Sequence, residues 1–416
     1  MRRSRQLHLA DLVREHRVKL EQVTVDLAER GEPISELEAR LIAEAGHVRL
    51  IEVENALRHE ARPGLEDASA GVTRALARLR SWRKPRIGNL RHYEPKPLMV
   101  PASYLRQTGP ERPPTISIVT PSFEQGRFLE RTLYSVVSQK YPALEYVVQD
   151  GGSNDVTVDV LQRFEPMLTS WRSEPDRGQA DAINRGFRHT SGEIMAWLNS
   201  DDLLLPGALG HVARYFDKHP DVDVVYGNRL MIDENDGQIG AWILPQHDDL
   251  AITLADYIPQ ETLFWRRRVW EAAGAALDTS FSYALDWDLL LRFREVGARM
   301  VRLPRFLGAF RIHPEQKTTA TDLVGFAETN RLRQRLHGRE VPIEEVLRRL
   351  RPYFVRHILA HTRQRIVDRV PARRHTVQTI PLEPWLRTPA LDLAPPAQRV
   401  HPELVTPVSP VAPLAD

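Results

Sequence analysis

The chain has 416 residues, enough for one large catalytic domain with smaller appendages. Its formal net charge of +2 gives no global pull toward nucleic acid, and the absence of cysteine removes disulfides, thiolate metal sites and cysteine nucleophiles. No uninterrupted apolar run reaches the length of a membrane span, and the opening MRRSRQLHLADLVREH carries charges where a signal peptide needs its apolar centre, so a soluble, cytoplasmic protein is expected.

Residues 1–83 read as helical hairpins, rich in Leu, Ala, Glu and Arg, with Leu41, Ala45, Val48, Ile51 and Ala56 at helical spacing. Proline and glycine near Gly31 to Pro33 and Arg62 to Gly64 would end helices there. Such an extension either packs on the main domain or binds a partner, a second copy included. Residues 84–114, with many prolines and basic side chains, read as a linker.

Across residues 115–320 short β-rich runs alternate with amphipathic helices: ISIVT, a helix from Gly126 to Gln139, EYVVQD, a helix near Val156 to Phe164, another from Gln179 to His189, then IMAWLNSDD. Alternation of this kind implies an α/β, Rossmann-like sheet with parallel strands, whose carboxyl ends form a ligand crevice. From Val222 to His313, VDVVYG, TLFWRR and a helix from Trp287 to Val296 form the second half of the same domain. Residues 321–375 return to helix. Ile343, Val346, Leu347, Leu350, Phe354, Ile358 and Leu359 fall on one side, Arg348, Arg349, Arg351, Arg356, Arg363 and Arg365 on the other, and Pro352 should break the stretch in two. The basic side reads either as a solvated face or as a peripheral contact with an anionic membrane. Residues 376–416 are proline-rich and read as a disordered tail.

Chemistry concentrates at the strand ends. ISIVT ends in Pro121-Ser122-Phe123-Glu124, an aromatic face on which a base could stack and a carboxylate. EYVVQD ends in Asp150-Gly151-Gly152-Ser153, where glycine lets backbone approach a ligand and Asp150 either accepts from a base or ribose or caps the next helix. A helix opening at Gly178 and Gln179, with Asp181 in its first turn, would aim its positive end into the crevice. Asp201 and Asp202, adjacent at the end of IMAWLNSDD, suit a hard divalent cation, or else a solvated turn before the helix at Pro206.

The order PSF, DGGSND, EPDRGQADAINRG, WLNSDD, LDWDLLLR and FRIH resembles the family 2 glycosyltransferases with the GT-A fold, in particular bacterial members whose loops read DGGS and SEPDRG. The resemblance spans about Thr115 to Thr319. It implies a mixed sheet flanked by helices, here with helical N- and C-terminal extensions, and an inverting transfer from a nucleotide diphosphate sugar, usually a UDP-sugar, with Mn²⁺ or Mg²⁺ on the diphosphate. On that pattern Pro121, Phe123 and Glu124 line the base with Asp150 and Asp181, and Gly151 and Gln179 complete the donor set. Asp202 contacts the metal, Asp201 lies nearer the ribose, and His313 helps to bind metal or diphosphate. Asn199, Gly151, Ile183 and Leu285 depart from the usual motif letters.

Inverting transfer is one in-line displacement, so it needs a carboxylate within reach of the acceptor hydroxyl. Asp286 matches the family's Asp at that place. Gln260, Glu261 and Trp287 would line the acceptor side, Trp287 either stacking on a sugar or sitting in the core. The acceptor implied is a saccharide or a lipid-linked molecule of cell-surface polysaccharide or glycolipid assembly, and the enzyme would work in the cytoplasm, peripherally at the inner face of the membrane. Two rivals are a sugar-phosphate nucleotidyltransferase, whose glycine- and arginine-rich first loop Pro121 to Arg127 lacks, and a silent scaffold, which has no chemical need for Asp202, Asp286 and His313 together.

Overall fold

The computed structural model describes residues 94–313, 322–369 and 379–381, so the helical reading of residues 1–83 lies outside it. Strand β1 is Met99–Pro101, and the central strand, β2, is Ile116–Ser122, buried along its whole length as a strand covered on both faces should be. Strands β3 (Leu144–Asp150) and β5 (Ile194–Trp197) flank β2 in parallel, with β4 (Ser170–Ser173) beyond β3. The crossovers are helices α1 (Gly126–Val137), α2 (Thr157–Phe164) and α3 (Gln179–Phe187). Leu129, Leu133, Val160 and Phe164 cover Ile116, Ile118 and Val148 on one face; Ile183 and Phe187 cover Val119, Val147 and Trp197 on the other.

The sheet splits at Pro121. Pairing of β2 with β5 stops at Val119 and Trp197, while pairing with β3 runs on to Ser122 and Asp150. Val119 gives its carbonyl to Leu198 N–H, so alternate residues, Pro121 among them, face the side that β5 has left. The missing N–H of Pro121 therefore costs no ladder bond, and the parted strands leave the crevice at the sheet's switch point.

Beyond that point strand directions mix. The chain continues through β6 (Leu203–Leu204), α4 (Ala208–Lys218), β7 (Val224–Ile232), β8 (Gln238–Trp242), β9 (Phe264–Arg266), α5 (Arg267–Ala272), α6 (Leu285–Glu295) and β10 (Met300–Arg311). Strand β9 is antiparallel between β5 and β7, β10 runs parallel to β7, and β6 closes antiparallel on β10. Among the described residues the order is β4-β3-β2-β5-β9-β7-β10-β6, with β8 on β7. This is the expected fold class, a GT-A-like mixed α/β sheet flanked by helices.

Four expectations outside the sheet change. Residues Leu98, Val100 and Tyr104, inside the segment read as a linker, are buried against Leu203, Leu205 and Ile232. Strand β1 also pairs with β11 (Thr379–Pro381), drawn from the segment read as a disordered tail. After α7 (Asp322–His337), α8 runs unbroken from Ile343 to Arg369 through Pro352. Its ring sits on the exposed side, and burial of Val346, Leu350, Tyr353 and Phe354 offsets the roughly 3 kcal/mol that an interior proline costs. Leu347, Ile358 and Leu359, expected on the packed side, are exposed. Among the described residues no helix is long and apolar enough to cross a membrane.

Candidate functional site

One side of the crevice is built from the ends of β2 and β3. Phe123 is 61% exposed, its ring beside Gly151, where a Cβ would stand 3.1 Å from both that ring and the Asp176 carboxylate. A larger residue there would press on the ring or the carboxylate until one of them moved by a few tenths of an ångström. Glu124 has φ 53°, a left-handed backbone that a non-glycine residue holds at a cost. It is held there by its own N–H to Ser153 Oγ (2.7 Å) and by Asn154 N–H to its carboxylate (2.9 Å). Asp150 is fully buried and accepts from Gly152 N, Ser153 N, Ser153 Oγ and Ser173 Oγ at 2.6–3.1 Å. These bonds organise the loop, three of them on Oδ2 and one on Oδ1.

At the start of α3, Gly178 takes φ 106° and Asp181 turns inward. Burial alone would raise the Asp181 carboxyl, but bonds from Arg177 and the Arg185 guanidinium 2.8 Å away hold it below the ordinary range. Asp181 is thus ionised and already gripped. Gln179 donates to Asn199 Oδ1 (2.7 Å), tying this helix to the strand end that carries the two aspartates.

Those aspartates differ. The Asp201 side chain is 16% exposed and receives His313 Nε2 at 3.1 Å. Asp202 is buried, accepting Arg311 N–H at 3.0 Å, while Thr132 Oγ1 pins the carbonyls of Ser200 and Asp202 at 2.8 Å each. His313 is also buried, with Phe128 4.8 Å from its ring and Arg127 3.4 Å from Nδ1. The ring orients Asp201 and stands beside the aspartate pair with which it is expected to bind metal or diphosphate.

Burial, then the charges of Asp201 and Glu261, push the Asp202 carboxyl well above its usual range, against the Arg311 N–H and the Arg229 charge. A divalent cation would reverse that repulsion, so Asp201 and Asp202 fit one. Among the described residues no three His or acidic side chains converge as a protein cage. Mg²⁺-type sites complete their shell with one or two carboxylates, ligand phosphates and water.

Asp286, expected on the acceptor side, lies in the first turn of α6, its carboxylate accepting Trp287 N–H at 2.9 Å. Burial pushes its carboxyl up to about 6, with the Trp287 N–H and Arg229 opposing and Glu261 adding. Trp287, left open between stacking and core, is core: it is fully buried and its indole N–H binds Ile252 O at 2.7 Å. Gln260 and Glu261 are framework too. Gln260 donates to Trp197 O (2.9 Å), and Glu261 is locked in a two-point pair with Arg229 at 2.9 and 2.5 Å. Gly308 on β10 permits this, since a Cβ there would strike Glu261 Cγ at 2.7 Å.

Motif reading missed Arg229, Asp256 and Glu328. Arg229 lies between the rings of Phe310 and Trp242 and is kept charged by Glu261, Asp202 and Asp256 although burial opposes it. Asp256 has a buried Oδ1 without a donor, and burial, then Asp286, push its carboxyl well up. The signal was present, a lone acid among Leu254, Ala255, Tyr257 and Ile258. Glu328 of α7 accepts the N–H groups of Ser282, Tyr283 and Ala284 at 2.8–2.9 Å, capping the entry to α6 from outside that helix.

Residues 117–271 match the family described as "Glycosyl transferase family 2". An uncharacterized glycosyltransferase of Mycobacterium tuberculosis is 44% identical over 90 residues, 21% of this chain and 34% of its own, so the match spans about a third of that relative. A PGL/p-HBAD biosynthesis glycosyltransferase of Mycobacterium bovis is 30% identical over 183 residues, 43% of this chain and 69% of its own. Among solved structures, S. aureus TarS 1-349 in complex with UDP-GlcNAc superposes with TM-score 0.45 at 17% identity, over 62% of this chain and 77% of that one. The mannosyltransferase PcManGT from Pyrobaculum calidifontis, in complex with GDP-Man and Mn²⁺, gives 0.44 at 18%, over 70% and 79%. With two thirds of a 30%-identical relative covered, and with its mixed sheet and acidic strand-end crevice, the chain belongs to glycosyl transferase family 2.

Proposed function

We propose that the protein is an inverting glycosyltransferase that moves a sugar from a nucleotide diphosphate donor, a UDP-sugar, to a hydroxyl acceptor. One observation carries this reading: Asp286, which shares the Arg229 and Glu261 charges with Asp202, has a carboxyl held near 6 by burial, so at neutral pH it is ionised yet basic enough to take a proton. Phe123 supplies an exposed ring for the base and Gly151 the clearance beside it. Asp201 and Asp202 would hold Mn²⁺ or Mg²⁺, which when bound neutralises the leaving diphosphate. His313 and Arg127 fix Asp201, and Arg229 holds Glu261 and the floor between the two sides. Asp286 takes the acceptor proton as the hydroxyl oxygen attacks the anomeric carbon, and the bond to the diphosphate oxygen breaks. The relative named for PGL/p-HBAD biosynthesis supports a glycolipid acceptor, reached from the cytoplasmic side.

The test is release of UDP from UDP-sugars by the purified protein, with and without Mn²⁺ and a saccharide acceptor. Asp286→Asn keeps the shape but cannot take the proton, so acceptor-dependent turnover should fall roughly 10²–10⁴-fold with donor affinity retained. Turnover by Asp286→Asn within a factor of two of the parent would exclude Asp286 as the base.

A further inference from the structure

Helix α8 turns Val346, Leu350, Tyr353 and Phe354 into the core, each no more than 3% exposed. Its outward face is not the polar surface such a helix ordinarily shows. Leu347, Val355, Ile358 and Leu359 are 43%, 56%, 52% and 60% exposed, and Arg348 and Arg351 are exposed with them. At about 100° per residue these six side chains fall within an arc of roughly 120°. From Val346 to Val367 the sequence contains six arginines and no acid, and the exposed acid of the outward arc is Glu344 in the first turn. Two are used internally, Arg349 on Glu345 and Arg356 on Asp248.

From this we infer that the outward face of α8 docks on an anionic lipid surface. Apolar side chains mixed with arginine suit the boundary between headgroups and acyl chains, where the aliphatic groups leave water and guanidinium meets phosphate. A purely apolar groove would suit a second copy of the chain as well. The excess of arginine, Arg348 and Arg351 against Glu344 at the helix start, disfavours that occupant, because two copies would bring like charges together. The inference deepens the glycolipid-acceptor reading proposed above and is independent of the chemistry: vesicle binding can succeed where transfer fails, and the reverse.

The full chain would be sedimented with vesicles of phosphatidylcholine alone and of phosphatidylcholine with 30% phosphatidylglycerol (on the order of a bacterial anionic content). Binding should require the anionic lipid and weaken as salt rises. Arg348→Glu with Arg351→Glu, and separately Val355→Ser with Leu359→Ser, should each lower partitioning by about tenfold or more. All four positions are exposed, so thermal melting and UDP binding should match the parent and serve as the folding control. No binding to anionic vesicles at low salt, equal binding to neutral ones, or binding unchanged in both variants would overturn the inference. So would a concentration-dependent dimer in sedimentation velocity that the same variants abolish, since a second copy would then occupy the face.

Discussion

A carboxyl held near 6 is a statement about rate and about stability at once. As a base, Asp286 works only when ionised, so kcat/KM should climb with pH through about 6 and level off above it. The stability sign is the opposite. A folded-state value raised above the unfolded one favours the protonated form, so this contribution is complete below pH 4, is lost as pH rises through about 6, and stays lost above. Replacing Asp286 by the neutral Asn should therefore leave melting unchanged near pH 4 and stabilise the fold by on the order of 1–3 kcal/mol at pH 8. Calorimetric melts of the two proteins across that range would check it, and a less stable Asp286→Asn at pH 8 would mean that Arg229 or another partner outweighs burial. The same scale shows what the letters could not tell. Asp286 was marked by the LDWD motif, and the structure places it in the first turn of α6. Trp287, one residue on, was left open because a helix start can turn either way, and it is Arg333, 5.5 Å from its ring, and the Ile252 carbonyl that close it into the core.

At the level of elements, alternation of apolar strands and amphipathic helices made β2, β3, β5 and their crossovers readable. Period and burial agree there. Mixed strand direction was less readable, since β9 reads as an apolar strand whichever way it runs and only its place between β5 and β7 fixes it as antiparallel. The C-terminal helices misled most, because an apolar position on a helix marks the core only if every apolar position is used for packing, and α8 uses some of them outward. Helix α7 shows the converse. Its Glu328 sits in an ordinary helical sequence, yet its carboxylate satisfies three backbone N–H groups just before α6, the helix that presents Asp286. Glu328→Gln keeps one acceptor oxygen and turns an amide toward those donors, which should cost roughly 1–3 kcal/mol in urea unfolding. If the contact also positions Asp286, kcat for transfer should drop while the affinity for UDP is unchanged, and Glu328→Asp should recover part of it. A loss of stability with an unaltered kcat would reduce Glu328 to a structural cap.

Among the described residues, a chain of charges links Asp201 and Asp202 after β5 with Asp256, Glu261 and Asp286 through the buried guanidiniums, Arg311 beside the first two and Arg229 beside the rest. The imbalance is visible in its effects: Asp202, Asp256 and Asp286 are all pushed upward, and the Arg311 guanidinium, although lowered to about 10 by burial, is pulled back by Asp202 and Asp201. A site with this surplus binds a dianionic diphosphate poorly alone, because like charges face each other. Mn²⁺ alone gains only what the carboxylates give. Together, each supplies the charge that the other lacks, so their binding should be strongly cooperative. Thermal shift at pH 8 should rise slightly with UDP or Mn²⁺ and by more than their sum with both, since a ligand at 100 times its Kd adds about 2.7 kcal/mol. The two aspartates divide the remaining question. Asp201→Asn removes the more exposed carboxylate that His313 orients, and Asp202→Asn removes the buried one that is most repelled. Whichever contacts the metal, its substitution should abolish the extra shift, while the other should keep it and melt higher without ligand if burial repulsion is relieved. Purely additive shifts in the parent protein would show that the acidic cluster is not a metal-diphosphate site.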